Sequence, residues 1–162
     1  MNKGLLIPVS ILCALLLQTS VIPVYFAPAF KPDLLLIVMV FLALRNPYPF
    51  SAPTAWGIGL LKDIFTGLYL GLSAFSFLII HSVIRHISDR LYAESDSVFV
   101  VSVVVSTLAG VLINLILLMM FTATPGISYT VLTGLFPHLL VNAFIASLLA
   151  LLPIFPEPQS RT

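Results

Sequence analysis

The feature that most constrains the fold is a series of long apolar runs, such as residues 98–121, which contain no charged side chain. A run of this length can cross a bilayer as a helix, which takes about 20 apolar residues. Of the 162 residues, 60% are hydrophobic and 8% are charged, which excludes an ordinary soluble domain. The runs lack the alternation of lipid-facing strands, so the sequence predicts an all-α integral membrane protein.

Prolines and charged residues divide the chain into six predicted transmembrane helices in a single domain, residues 1–162. The second apolar run, residues 34–44, covers only about 17 Å of a hydrocarbon core of ~30 Å. Either this helix begins earlier, through residues 25–30, or it is short and shielded by its neighbours. The predicted spans are about 4–22, 28–45, 53–70, 73–87, 98–121 and 129–152.

The basic residues are distributed unevenly between the two sides of the predicted bundle. Lys31 lies alone on one side, and Lys62 falls inside the membrane. Because cytoplasmic loops carry the excess of basic residues, both termini are predicted to be cytoplasmic. The same distribution supports a true crossing by the short second run. The basic residues on the side of the termini are Lys3, Arg45, Arg85, Arg90 and Arg161.

A row of small residues around one carboxylate marks the third run, where Gly59, Asp63, Gly67 and Gly71 recur at every fourth position. Glycines at this spacing allow another helix to approach closely, and an aspartate near the bilayer centre costs roughly 2.5 to 3.5 kcal/mol unless a partner receives it. The row is therefore predicted to be an interaction surface, within this chain or with another.

Three roles are open for Asp63. It could accept hydrogen bonds from a neighbouring helix and fix packing, contact a partner helix, or handle an ion or proton. Lys62 lies roughly 100° away around the helix, so the two side chains do not simply face each other. Lys62 must reach the interface, meet water or find a carboxylate elsewhere.

Pro32 and Asp33 mark the start of the second helix. Proline suits the first turn of a helix, and aspartate accepts hydrogen bonds from the free backbone N–H groups there. The pair predicts a helix start. The alternative is that Asp33 belongs to an outward-facing cavity or binds a loop of a partner.

Motifs of enzymes and metal sites give no positive signal. The chain has no GxxxxGK[ST] loop and no G-x-S-x-G elbow, and its single cysteine, Cys13, cannot form an internal disulfide. His81 and His138 resemble half-sites for a metal, but interhelical hydrogen bonding is the preferred interpretation. We expect no enzyme activity, no cofactor, no metal and no nucleic-acid partner.

Two segments carry a resemblance to a known family. Residues 31–47, KPDLLLIVMVFLALRNP, and residues 56–77, WGIGLLKDIFTGLYLGLSAFSF, resemble the bacterial rod shape-determining protein MreD. The specific part is the PDLLL opening and the G-x-x-x-D-x-x-x-G-x-x-x-G helix, while length and six-span layout fit over the whole chain. Lys62 departs from the family pattern. The motif positions carried over are Pro32, Asp33, Gly59, Asp63, Gly67 and Gly71.

The resemblance implies a non-enzymatic subunit of the cell-elongation machinery in the bacterial inner membrane. Its implied partners are MreC, the MreB cytoskeleton, and the RodA glycosyltransferase with its partner transpeptidase, and its implied fold is similar to the S components of energy-coupling-factor transporters. On this interpretation the glycine-lined helix packs against the membrane helix of MreC. The alternative is a solute-binding subunit of such a transporter, favoured by polar residues at depth: Asp63, Asn114, His138 and Asn142.

Overall fold

The computed structural model describes residues 3–25, 30–45, 50–66, 69–88, 95–121 and 127–151, and these residues form six helices with no strand among them. The first, α1, runs through Lys3–Leu16, a π-helical turn at Leu17–Val21 and a last turn at Ile22–Tyr25. The others are α2 (Leu34–Arg45), α3 (Ser51–Thr66), α4 (Leu72–Ser88), α5 (Asp96–Phe121) and α6 (Ile127–Leu151).

Among the residues that the structure describes, three helices are long and apolar enough to cross a membrane: Ile7–Tyr25 within α1, Asp96–Met120 within α5 and Thr133–Leu151 within α6. The helices α2 and α4 are apolar but shorter. Large apolar side chains such as Met120 and Phe136 point outward, at 75% and 70% exposure, as a lipid-facing surface requires. The prediction of an all-α membrane protein is confirmed.

The short helix α2 lies at the centre of the bundle and packs against all five of the other helices. Most of its side chains are buried, with Leu35, Ile37, Met39 and Val40 at 1% exposure or less, and only one face is half-buried, at Leu34, Val38 and Phe41. Twelve residues cover only about 18 Å. Because protein rather than lipid surrounds α2, its length need not match the bilayer. Of the two alternatives for this run, the structure has the short, shielded helix.

The second helix is therefore shorter than the predicted 28–45. Residues 31–33 are not helical, and residues 26–29 lie outside the described part of the chain. The physical reason is that Asp33 is the residue before the first helical position, and its backbone carbonyl accepts the first helical hydrogen bond, from Ile37 (3.1 Å). Pro32 precedes this cap, so it lies outside the first turn in which a proline was expected.

The third helix ends at Thr66, four residues before the predicted end at 70. A turn follows, in which the N–H of Leu72 donates to the carbonyl of Tyr69 (3.4 Å). Asp63 is consequently three residues, or about 4.5 Å of helix rise, from the end of α3. The expectation that Asp63 lies near the middle of its helix is wrong. The bounds of α4, α5 and α6 agree with the predicted spans to within two residues at each end.

Candidate functional site

Two helices approach each other closely at Gly59 of α3. A Cβ atom added there would lie 2.4 Å from the Cα of Ala74 and 2.7 Å from its nitrogen, so the backbones of α3 and α4 are in direct contact. Only glycine fits at such a position, because both nearest atoms are backbone atoms that cannot move aside independently. The glycine at this position of the row therefore serves packing inside the chain.

The carboxylate of Asp63 caps the start of α4. It is 3% exposed, and its oxygens accept backbone N–H groups from Gly71 (2.9 Å), Ser73 (3.0 Å) and Ala74 (3.3 Å). Ser73 and Ala74 hold the second and third helical positions, whose N–H groups have no acceptor within the helix. The negative charge also lies at the positive end of the helix dipole. These contacts join the end of α3 to the start of α4, which is the geometry that the first of the three roles, packing of a neighbouring helix, requires.

Gly71 explains why the acceptor comes from another helix. Its carbonyl accepts the first hydrogen bond of α4, from Phe75 (2.9 Å), so Gly71 is the capping residue, and it has no side chain to cap with. Its φ of +98° suits the third position of the turn at residues 69–72, a conformation that glycine adopts without strain. Gly67, the remaining glycine of the row, lies outside the described residues.

Asp33 forms a second capping site, at the start of α2. Its Oδ1 accepts the N–H of Leu36 (3.3 Å) and the side-chain amide of Gln18 (3.4 Å). The carbonyl oxygen of the same amide accepts the N–H of Leu35 (3.0 Å). The predicted helix start at Asp33 is thus capped by two side chains, one of them from the π-helical turn of α1.

Lys62 supplies the cation for Asp33. Its Nζ forms an ion pair and hydrogen bond with Oδ2 of Asp33, and it lies 5.1 Å from the centre of the Phe77 ring. The two charged side chains are 17% and 6% exposed. Lys62 and Asp63, adjacent in sequence, therefore serve the starts of two different helices, since they point about 100° apart on α3.

Hydrogen bonds extend this site to the last two helices. The N–H of Asp33 donates to Oδ1 of Asn142 (2.8 Å) on α6, and Nδ2 of Asn142 donates to the hydroxyl of Thr107 (3.1 Å) on α5. His138, one turn before Asn142, places Nδ1 2.8 Å from the carbonyl oxygen of Lys31. We call Gln18, Asp33, Lys62, Thr107 and Asn142 the Asp33 network; it joins α1, α2, α3, α5 and α6.

A cavity of about 700 Å³ lies beside the Asp33 network. Its walls come from α1, the residues before α2, the end of α3 and α6, and Asp33 and Lys62 are among its lining residues. This volume falls in the range of roughly 300 to 1,000 Å³ that is usual for ligand pockets. Two features proposed as alternatives for Asp33, a helix start and a place in a cavity wall, therefore both apply to it.

The remaining polar residues have separate roles. The hydroxyl of Ser76 on α4 donates to Oδ1 of Asn114 on α5. Both ring nitrogens of His81 are buried without a hydrogen-bond partner within the described ranges. No group of three or more potential metal ligands occurs among the residues that the structure describes. The interhelical hydrogen bonding preferred for both histidines is not what the structure has, because His138 contacts the carbonyl of Lys31, outside any helix, and His81 has no partner in the described part of the chain.

Sequence reasoning missed Gln18 and Thr107. The signal for Gln18 was available, because a glutamine inside the first apolar run needs a polar partner at membrane depth. Thr107 gave no such signal, since a threonine can satisfy its hydroxyl within its own helix, as Thr107 also does with the carbonyl of Val103 (2.8 Å).

Comparison with known proteins identifies a family for this chain. The family model of the rod shape-determining protein MreD matches residues 1–155. No curated protein and no solved structure matches the chain.

Proposed function

Because the chain belongs to the family of the rod shape-determining protein MreD, we propose that it is a non-enzymatic subunit of the cell-elongation complex in the bacterial inner membrane. In this role it holds MreC together with RodA and its partner transpeptidase at the side wall, in connection with the MreB cytoskeleton. Its mechanism is assembly: it keeps the wall-synthesis enzymes in place and takes no part in their chemistry.

The observation that carries this proposal is the use of the buried charges. Asp63 caps α4, while Asp33 caps α2 and pairs with Lys62, so these three charged side chains hold helices together. Hydrogen bonds and ion pairs between buried side chains of different helices help to rigidify a fold. A rigid bundle suits a scaffold, because its outer apolar faces then keep fixed positions for the membrane helices of partners.

The glycine row has a different part in this proposal from the one expected of it. Ala74 already packs against Gly59, and the carboxylate of Asp63 already accepts hydrogen bonds from the start of α4. MreC therefore contacts another face of the bundle, and Gly59 supports the association indirectly by keeping α3 and α4 together.

The test is purification of the tagged chain from its own membranes in mild detergent, with identification of each stoichiometric partner by mass spectrometry. Recovery of MreC and the elongation enzymes is the expected result. Recovery of paired ATPases with a coupling subunit, and no MreC, would contradict it and support the solute-binding alternative, for which the cavity beside the Asp33 network is the favouring observation.

A matched pair of variants connects the partner test to cell shape. In cells without the native chain, Gly57→Leu should restore rods and recover MreC, because a Cβ atom added at Gly57 meets no atom within 4 Å. Gly59→Leu should give rounded cells and lose MreC, because α3 and α4 separate. Rounded cells with Gly57→Leu in a folded chain would instead place a partner contact at that position.

A further inference from the structure

The acceptors around the cavity beside the Asp33 network are already used by the chain. The carboxylate of Asp33 receives donors from Leu36, Gln18 and Lys62. Three of the roughly four acceptor positions of this carboxylate are therefore in use, which leaves little capacity for a ligand that brings hydrogen-bond donors or positive charge. The cavity is poorly suited to a cation.

The donors, by contrast, are in excess. Lys31 lines the cavity, and its ammonium group makes no hydrogen bond or ion pair with the residues of the described ranges. Lys62 uses one of its three N–H groups on Asp33. Two lysines against one aspartate leave a formal charge of +1 at the lining, with His138 counted as neutral. Apolar walls strengthen the field of such a charge, so the lining attracts an anion.

His138 adds a polar edge in which Nδ1 is a donor and Nε2 of the neutral ring is left as an acceptor. The carbonyl oxygen of Lys31 can only accept, so Nδ1 of His138 carries the proton of their 2.8 Å contact. The contact also fixes the backbone of Lys31 beside α6, which holds the base of the lysine side chain at the cavity wall.

The other side of the cavity is apolar and reaches the outer surface. Leu15 and Ile22 of α1 line it, and so does Phe65 of α3, which is 56% exposed. The next residue on α3, Ile64, is 59% exposed. In a membrane protein, exposed apolar side chains of this kind face lipid chains. The lining of the cavity thus includes the unpaired ammonium group of Lys31, and apolar side chains that face lipid form its rim.

We propose that this cavity binds the anionic headgroup of a membrane lipid, with its phosphate or carboxylate at Lys31 and its acyl part leaving past Phe65. The ligand class follows from the excess of donors and from the apolar rim. The site does not depend on the proposed role in cell elongation, since it is defined by this chain alone.

The experiment is native mass spectrometry of the full chain in mild detergent, titrated with phosphatidylglycerol and, separately, with zwitterionic phosphatidylcholine. We expect one tightly bound phosphatidylglycerol and much weaker binding of phosphatidylcholine. Lys31→Gln should weaken phosphatidylglycerol binding about fivefold, the effect of roughly 1 kcal/mol per basic residue near a lipid phosphate. Lys31→Glu should weaken it further.

The matched control is Arg85→Gln, which removes the same charge from a side chain on α4 that does not line the cavity. It should leave the binding of the tight lipid unchanged, and thermal unfolding of each variant reports whether the chain is folded. Equal binding of both lipids, or equal loss in the two Gln variants, would overturn the proposal. Displacement of the lipid by free glycerol phosphate at millimolar concentration would overturn the assignment of the ligand as a lipid and identify a soluble anion instead.

Discussion

Both carboxylate oxygens of Asp63 lie 3.0 Å from the backbone nitrogen of Ser73, ten residues later in the chain. A helix is usually capped by the residue directly before it, but here that residue is Gly71, which has no side chain. The acceptor comes from the last turn of the preceding helix instead. The corner between α3 and α4 is consequently held by contacts between a side chain and a backbone, and it should respond to substitutions in a specific way.

Replacing Asp63 should loosen the start of α4. Asp63→Ala leaves the N–H groups of Gly71, Ser73 and Ala74 without an acceptor, and we expect a loss of about 3 kcal/mol of stability. Asp63→Asn keeps one acceptor oxygen and should lose less. Hydrogen exchange at these three amides, in detergent, is the measurement. Unchanged protection in Asp63→Ala would show that the cap does not hold the helix start.

A methyl group at Gly59 should separate α3 from α4. Because its Cβ would lie 2.4 Å from the Cα of Ala74, we expect Gly59→Ala to lower the free energy of unfolding by about 3 kcal/mol. Gly57→Ala is the matched control on the same helix, with no atom within 4 Å, and should be neutral or stabilising by up to roughly 1 kcal/mol. Thermal unfolding compares the two; similar midpoints would contradict the close contact.

Gly71 should be sensitive for a conformational reason rather than for lack of space. A Cβ there meets no atom within 4 Å, but the φ of +98° is one that side chains disfavour. We expect Gly71→Ala to cost about 1 kcal/mol, and Gly71→Asn to cost less, because asparagine tolerates positive φ better. Equilibrium unfolding of both variants measures the difference. A larger cost for asparagine would point to crowding instead of strain.

The ion pair between Asp33 and Lys62 should appear as coupling in a double-mutant cycle. Removing one partner leaves a buried charge alone, so Lys62→Met should cost about 3 kcal/mol. Asp33→Ala should cost more, because it also removes the acceptor for Leu36. The double variant should be more stable than the sum of the single losses predicts, by roughly 0.5 to 3 kcal/mol. Additive losses would mean that the two charges do not interact in the folded chain.

The sequence predicted the class of fold and indicated Asp33 as a helix start, although the predicted span began at residue 28, because both predictions depend on local patterns. Apolar runs identify membrane helices, and an aspartate before such a run identifies a cap. The partner of Lys62 could not be predicted in this way. It lies 29 residues earlier in the chain, and only the packing of α2 against α3 brings the two side chains together.

The end of α3 was predicted wrongly because the spacing of four continues past it. Gly59 and Asp63 lie on α3, whereas Gly71 lies in the turn before α4, although the same interval separates the members of the row. A periodic pattern indicates which residues share a face while the helix lasts, but it contains no information on where the hydrogen-bonding stops. Asp63 was therefore placed mid-helix when its contacts require a helix end.

The members of the Asp33 network are synthesised at different times, so the network can be completed only late in translation. Gln18 and Asp33 are synthesised first, Lys62 follows 29 residues after Asp33, and Asn142 follows only after 109. Until Lys62 emerges, the carboxylate has no cation, and a 12-residue α2 is too short to settle in lipid alone. We therefore expect the nascent chain to keep α2 beside the insertion machinery until its neighbours arrive. A translation product that stops before α6 retains an incomplete network, and it is this truncated form that membrane proteases should remove fastest.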